Sequence, residues 1–283
     1  MTTRELVAAA LAEDLGERGD ITSASVVPAG LAAVARVVSR AHGVLAGRAA
    51  AEEVCRQTGI DGRWLAGDGA HLSPGTVVAE LSGPAHAVLT AERTLLNLLC
   101  RLSGVATLTA AYVEACAPVA VLDTRKTTPG MRALEKAAVV AGGGVNHRMG
   151  LDDQVLVKDN HLALAGTGLD EAVARARRDY PGVIVEVEAD DLDGVRRGLD
   201  AGADWILLDN MTPESMREAV ALTAGRAKLE ASGGMTLEGA RAAAACGVDA
   251  VSVGALTHSA PALDLGLDMT PPQRPTSALT SVR

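Results

Sequence analysis

The sequence predicts an α/β protein, an incomplete (β/α) barrel preceded by a smaller N-terminal α/β domain. Three observations carry that prediction. Glu188, Asp209, Ser232 and Gly254 close successive apolar, strand-like runs at separations of 21, 23 and 22 residues. This pitch is the length of one strand, one helix and two short loops, so the back half reads as parallel βαβ units. The front part instead mixes short β-branched runs with helices between Gly/Pro turns, as a small α+β layer does. Only about seven β/α units can be counted, one short of a closed eight-unit barrel.

The elements follow in order. Residues 3–15 read as a helix opened by a capping box, Thr2 with Glu5, and closed by the turn from Gly16 to Asp20. Residues 33–38 and 76–81 read as strands, with a helix at about 47–58 between them. From 85 to 116 Leu95, Leu98, Leu99 and Leu102 recur at helical spacing, and Gly104 is expected to break the helix. Strands are then expected at 119–122, 154–157, 183–187, 205–208, 228–231 and 250–253, with a shorter one through 145–148. Helices are expected near 131–141, 169–179, 191–201, 213–223 and 236–245. The division is 1–116 for the N-terminal domain with its linking helices, 117–269 for the barrel, and 270–283 for a mobile Pro/Thr/Ser tail.

Composition narrows the function. The chain is 48% hydrophobic with no Phe, two Tyr and two Trp, so its core must be aliphatic and closely packed. Stacking platforms for single-stranded nucleic acid lack their rings. A net charge of −9 disfavours binding to nucleic acid or to an anionic membrane. Cys55, Cys100, Cys116 and Cys246 form no C-x-x-C pair and read as small buried hydrophobes. The N-terminus lacks the basic start and apolar run of a signal peptide, and no uninterrupted apolar stretch looks long enough to span a bilayer. A cytoplasmic location is the expectation.

Against this acidic background, residues 125–148 hold Arg125, Lys126, Arg132, Lys136 and Arg148 against one acid, Glu135, a local net charge of +4. A solvated basic face would explain the charge alone, but the cations recur after strands. Asp123-Thr124-Arg125-Lys126 follows one strand and Lys158-Asp159-Asn160-His161 the next, with Gly142-Gly143-Gly144 and His147-Arg148 between. Fixed cations at strand ends grip carboxylate or phosphate. The three glycines are expected to let the backbone bend or approach a ligand. Glu186 and Glu188 share one strand face by period two, an unusual pair unless it meets a cation or sugar hydroxyls. Asp209 admits a plainer reading as the N-cap of the next helix. Ser232-Gly233-Gly234 and Gly254 follow the last strands, where barrels hold phosphate on backbone N–H groups.

With these residues in view, the chain resembles the quinolinate phosphoribosyltransferase family. The resemblance rests on Glu92-Arg93-Thr94, Thr124-Arg125-Lys126-Thr127-Thr128-Pro129-Gly130, Asn146-His147-Arg148 and Lys158-Asp159-Asn160-His161. It continues through Glu186-Val187-Glu188, Leu208-Asp209-Asn210, Glu230-Ala231-Ser232-Gly233-Gly234 and Ser252-Val253-Gly254. It implies a small α/β sandwich and an open barrel, in homodimers or larger assemblies whose small domains cover the partner's barrel mouth. The implied substrates are quinolinate and phosphoribosyl pyrophosphate with Mg²⁺. By resemblance Arg125, His147 and Arg148 hold the quinolinate carboxylates, Lys126 and Lys158 serve carboxylate or pyrophosphate, and Arg93 enters from the neighbouring subunit. Glu188 and Asp209 bind ribose hydroxyls or Mg²⁺, and Ser232, Gly233, Gly234 and Gly254 cradle the 5′-phosphate. The rival readings are a sibling acting on nicotinate, a Schiff-base lyase using Lys158 or Lys126, and a non-catalytic barrel.

Overall fold

The computed structural model describes residues 1–270; apart from Thr270, the tail expected to be mobile lies outside the described residues. The chain begins with α1 (Thr3–Leu15), α2 (Ile21–Val26), β1 (Ala32–Ser39), β2 (Gly43–Val44) and α3 (Arg48–Thr58). There follow β3 (Asp61–Trp64), β4 (His71–Leu72), β5 (Val77–Pro84) and the long α4 (Ala85–Cys116). The capping box forms as expected: Thr2 Oγ1 accepts from Glu5 N at 3.2 Å, and Glu5 Oε2 accepts from Thr2 N at 2.8 Å.

The second half runs β6 (Ala120–Leu122), α5 (Arg132–Ala141), β7 (Val155–Val157), α6 (Asp159–Ala165), α7 (Leu169–Asp179) and β8 (Val185–Ala189). It continues as α8 (Leu192–Asp200), β9 (Trp205–Asp209), α9 (Pro213–Thr223), β10 (Lys228–Ser232), α10 (Leu237–Ala244), β11 (Ala250–Ser252), α11 (Ala255–His258) and β12 (Leu265–Thr270). Six strands make one sheet in the order β6-β11-β10-β9-β8-β7, with every pair parallel. Val145 adds a single parallel bridge beside Leu122, so the strand expected at 145–148 shrinks to one residue. No pairing joins Val145 to β7 among the described residues, and the barrel is open there.

The N-terminal sheet is antiparallel in the order β12-β1-β5-β3. Its edge strand β12 comes from the end of the chain: Leu265 pairs with Ser39 and Leu267 with Val37. Residues 265–269, assigned to the barrel by sequence, therefore complete the small domain. Helix α4 joins the two parts, packing on α3, β2 and β5 on one side and on α5, α10 and β6 on the other. It is long and apolar enough on average to cross a membrane, although Glu92, Arg93 and Arg101 interrupt its apolar run, and it is the central helix of the core, with Leu95, Leu99, Leu102 and Val105 all at 0% exposure.

Gly104 does not break α4, which runs uninterrupted through it. A Cβ there would stand 2.0 Å from the carbonyl oxygen of Pro261. Glycine serves close approach here, and the i→i−4 ladder tolerates it at a cost of about 1 kcal/mol relative to alanine. The Gly142–Gly144 run is likewise turned to α4 and not to a ligand. A Cβ on Gly142 would meet Ala106 O at 2.4 Å, and one on Gly144 would meet Thr109 Cγ2 at 2.8 Å.

Candidate active site

The C-terminal ends of the parallel strands open into one cleft of about 610 Å³. Each strand delivers a polar side chain there, from its own last residues or from the residues just after it, while its apolar residues pack into the core. Asp123, Thr124, Arg125 and Lys126 come from the end of β6, Lys158 from β7, Glu188 from β8, Asp209 and Asn210 from β9, Glu230 and Ser232 from β10, and Ser252 from β11. His147, Arg148, Gly233 and Gly234 also line it. Ten of the twelve sequence-selected site residues thus meet in one place.

The two exceptions are Gly254 and Arg93. Gly254 lies just behind the wall, where a Cβ would come within 3.0 Å of Lys126 Cδ. Arg93 is exposed on α4, 3.9 Å from Glu92, and does not line its own chain's cleft. Asp209 is not an N-cap: Thr212 caps α9, its hydroxyl accepting from Ser215 N, while Asp209 accepts from the Asn210 side-chain amide at 2.9 Å.

The cations fall into two sets. Lys158 is ion-paired with Glu188. Arg125, Lys126 and Arg148 pair with no carboxylate among the described residues, and the buried Nε of Arg125 has no hydrogen-bond partner. Burial, and then the charge of nearby Arg125, hold Arg148 below the usual guanidinium range. Its Nη1 donates to Gln154 O at 3.2 Å.

Below this rim lies a triad that sequence reasoning only partly found. His147 Nε2 sits 3.1 Å from Glu186 Oε2 and 3.2 Å from Glu230 Oε2, both carboxylates essentially buried. Gln154 Nε2 donates to the same Glu186 oxygen at 2.8 Å, and the other Glu186 oxygen is unpartnered. Desolvation works against a charged His147, but hydrogen bonds to Glu186 and Glu230 override it and push the imidazole up to about 10. Arg148 N lies 2.7 Å from His147 Nδ1, a contact that favours a neutral ring. Two facing carboxylates outweigh one adjacent backbone dipole, so we assign the imidazolium. Desolvation also raises Glu186, with Glu230 adding to the effect and His147 opposing it. With both ring nitrogens occupied, His147 meets the cleft through its ring edge and its charge. Glu230 entered the sequence reading only as part of the segment Glu230–Gly234, with no role of its own; its place two residues before Ser232, on the same strand face, is the signal that could have found it.

The backbone around His147 is held from beneath. Lys136 and Asp123 form a fully buried ion pair. Lys136 Nζ also donates to His147 O at 3.1 Å, and His147 N donates to Asp123 Oδ1 at 2.9 Å. With its amide oriented by these acceptors, Asn146 donates to Asp123 Oδ2 at 2.6 Å. Lys136 is thus a structural cation, although sequence counting placed it in the anion-binding island.

Two family descriptions fit consecutive parts of the chain: the N-terminal domain of quinolinate phosphoribosyl transferase matches residues 20–103, and its C-terminal domain matches 105–268. The chain belongs to the quinolinate phosphoribosyltransferase family. It is 44% identical to the nicotinate-nucleotide pyrophosphorylase (carboxylating) of Mycobacterium leprae, across 94% of this chain and 96% of that one. It is 43% identical to the probable enzyme of that name from Bacillus subtilis, across 91% and 90%. Among solved structures, the nicotinate-nucleotide pyrophosphorylase of Francisella tularensis superposes with a TM-score of 0.89 at 38% identity, covering 95% of this chain and 96% of that one. The open barrel with its antiparallel N-terminal domain is therefore the quinolinate phosphoribosyltransferase fold.

Proposed function

We infer that this chain transfers the phosphoribosyl group of phosphoribosyl pyrophosphate to quinolinate with decarboxylation, giving nicotinate mononucleotide, pyrophosphate and carbon dioxide in NAD biosynthesis. The observation that carries the acceptor is that Arg125 and Arg148 line the same cleft and feel each other's charge, neither with a carboxylate partner among the described residues and Arg125 with an orphaned buried Nε. Two adjacent guanidiniums in a partly dry cleft repel, each such pair near 4 Å costing on the order of 4 kcal/mol at an effective dielectric of about 20. A dicarboxylate that engages both relieves the repulsion, whereas nicotinate has one carboxylate for two partners.

Quinolinate held by Arg125 and Arg148, in the field of the His147 imidazolium, presents its ring nitrogen to the anomeric carbon. The N–C bond forms as the C–O bond to pyrophosphate breaks. Glu188 and Asp209, at adjacent strand ends, are placed to favour positive charge on the ribose and to accept its hydroxyls. Lys126 and Lys158 answer the departing pyrophosphate, and Ser232, Gly233 and Gly234 receive the 5′-phosphate with Gly254 behind them. In the resulting pyridinium the C2–carboxylate bond breaks, its electron pair is stabilised beside the cationic nitrogen, and a proton completes C2.

The hard oxygen donors of Glu188 and Asp209 on one cleft suit Mg²⁺. These two residues would hold it, and it would neutralise pyrophosphate charge when bound. Arg93, outside its own cleft, is assigned to the partner's site in a cytoplasmic homodimer or larger homo-oligomer. Mixing Arg93→Ala with Lys126→Ala protein should then restore turnover that neither has alone.

The deciding experiment is product formation from quinolinate and phosphoribosyl pyrophosphate with Mg²⁺, with nicotinate as the parallel acceptor. Nicotinate mononucleotide and carbon dioxide from quinolinate only are expected. Turnover of nicotinate only, or of neither acceptor, would overturn the assignment.

A further inference from the structure

Helix α5 carries two consecutive residues of opposite charge, Glu135 and Lys136, and both are 0% exposed. Neighbouring helical positions point about 100° apart, so the two heads reach different targets. Lys136 grips Asp123, at the start of the loop that bears Arg125 and Lys126. Glu135 holds the far side of the same loop: it accepts from Thr128 N at 2.9 Å and from the Thr128 hydroxyl at 2.9 Å.

The Glu135 charge is answered by Arg101 of α4, with Nη2 at 2.8 Å and Nε at 3.2 Å from Oε1. Arg101 uses its remaining donors on Thr257 O and on Ala260 O, the latter at 2.9 Å. Thr257, fully buried on α11, closes the circuit by donating its hydroxyl to Lys126 O at 2.9 Å. None of Arg101, Glu135 and Thr257 lines the cleft. All three contact the loop or one another.

We propose that Glu135, Arg101 and Thr257 are positioning residues for the reaction, fixing the backbone that aims Arg125 and Lys126 before substrate arrives. The proposal deepens the function argued above and rests on it. A loop with no secondary structure of its own between β6 and α5 would otherwise sample many backbone states, and catalytic cations must be held close to one geometry. Arg101 is the partner without which Glu135 would be a bare buried charge.

A purely structural pair would lower stability and leave turnover per folded molecule intact. The test therefore compares Thr257→Val, which keeps the shape but loses the hydroxyl, with Thr257→Ser, which keeps the hydroxyl, and adds Glu135→Gln. Two quantities are read on the folded protein: kcat/KM for quinolinate and amide hydrogen exchange over residues 124–128. Thr257→Val and Glu135→Gln should each lose at least about tenfold in kcat/KM, the equivalent of one hydrogen bond's worth of aim, with faster exchange in the loop. Thr257→Ser should stay within about threefold of the parent on the same scale.

Parent-like kcat/KM and exchange in Thr257→Val would overturn the proposal, as would a Thr257→Ser variant as impaired as Thr257→Val. If Glu135→Gln does not fold, the Thr257 pair decides alone. If the parent protein turns over no quinolinate, the function is refuted, while the exchange rates still decide whether these residues anchor the loop.

Discussion

Replacing Gly233 with alanine tests the phosphate-cradle assignment at its tightest point. Gly233 sits at φ +99°, and a Cβ there would stand 2.2 Å from Asn210 Oδ1 and 2.8 Å from Asn210 N. Asn210 has little freedom to retreat, because it is itself at φ +54° and its N–H donates to Ser232 O at 3.0 Å. Backbone strain at such a position costs about 1–3 kcal/mol. Forced overlap in a packed site costs about 1–3 kcal/mol more. Together they reach roughly 2–6 kcal/mol, shared between a lower stability and a displaced turn. Gly233 and Asn210 directly follow the paired last residues of β10 and β9, so Ser232 and Asp209 move with them. Steady-state kinetics with each substrate varied, beside thermal unfolding, should show a Tm lower by at least about 4 °C. They should also show kcat/KM for phosphoribosyl pyrophosphate reduced by on the order of 10²-fold, with quinolinate affinity less affected. An unchanged KM for phosphoribosyl pyrophosphate with an unchanged Tm would refute both the geometry and the cradle.

Three further outcomes are expected. His147 is raised from 6.5 to about 10, so its contribution to stability is full below pH 6.5 and is lost as pH rises toward 10. Denaturant unfolding across that window should show stability falling with pH, and His147→Gln should flatten the slope; an equal slope in both proteins would contradict the charged triad. Lys158→Met removes the partner of Glu188 in a pair whose side chains are 40% and 18% exposed, so stability should change by no more than about 1 kcal/mol while kcat/KM falls on the order of 10²-fold or more. A loss of stability without loss of turnover would reverse that reading. Gly104→Ala, normally favourable in a helix, should instead destabilise by about 1–3 kcal/mol because of the Pro261 carbonyl, measurable as a lower denaturation midpoint. A midpoint at or above the parent's would show that the approach is looser than described.

The barrel was legible because each of its strands is buried on both faces. Such strands read as mostly apolar runs, and the polar residues at or just past their ends mark the mouth of the cleft. Asp209 and Ser232 fall at the last positions of β9 and β10 for that reason. What sequence could not show is approach between distant segments. Gly104 looked like a break because local propensity is blind to Pro261, and Gly142–Gly144 looked like a ligand loop because it is blind to Ala106. The return of β12 to pair with β1 depends on two edges meeting across most of the chain, which no local period encodes. The His147, Glu186 and Glu230 triad joins a loop and two strands; each member lay in a segment the sequence singled out, but no local pattern brings the three together.

The same limit explains the basic island, whose excess of +4 overstates its free charge. Lys136 is neutralised by Asp123, and Arg132 is taken up by the Thr127 hydroxyl at 3.0 Å and Met149 O at 3.2 Å. Glu135, the one acid counted against the island, is answered by Arg101 from outside it. Arg125, Lys126 and Arg148 are left facing the cleft, with the His147 imidazolium at its edge. Among the described residues these three cations have no carboxylate partner, a number that suits the dicarboxylate and pyrophosphate of the proposed substrates. An acceptor with a single carboxylate would leave one guanidinium desolvated and unpaired, and sites built to pair a polar group reject the analogue lacking it by far more than they reject a missing methylene. On the function proposed here, acceptor choice follows from the cations that the fold leaves unpaired among the described residues, not from how many the sequence contains.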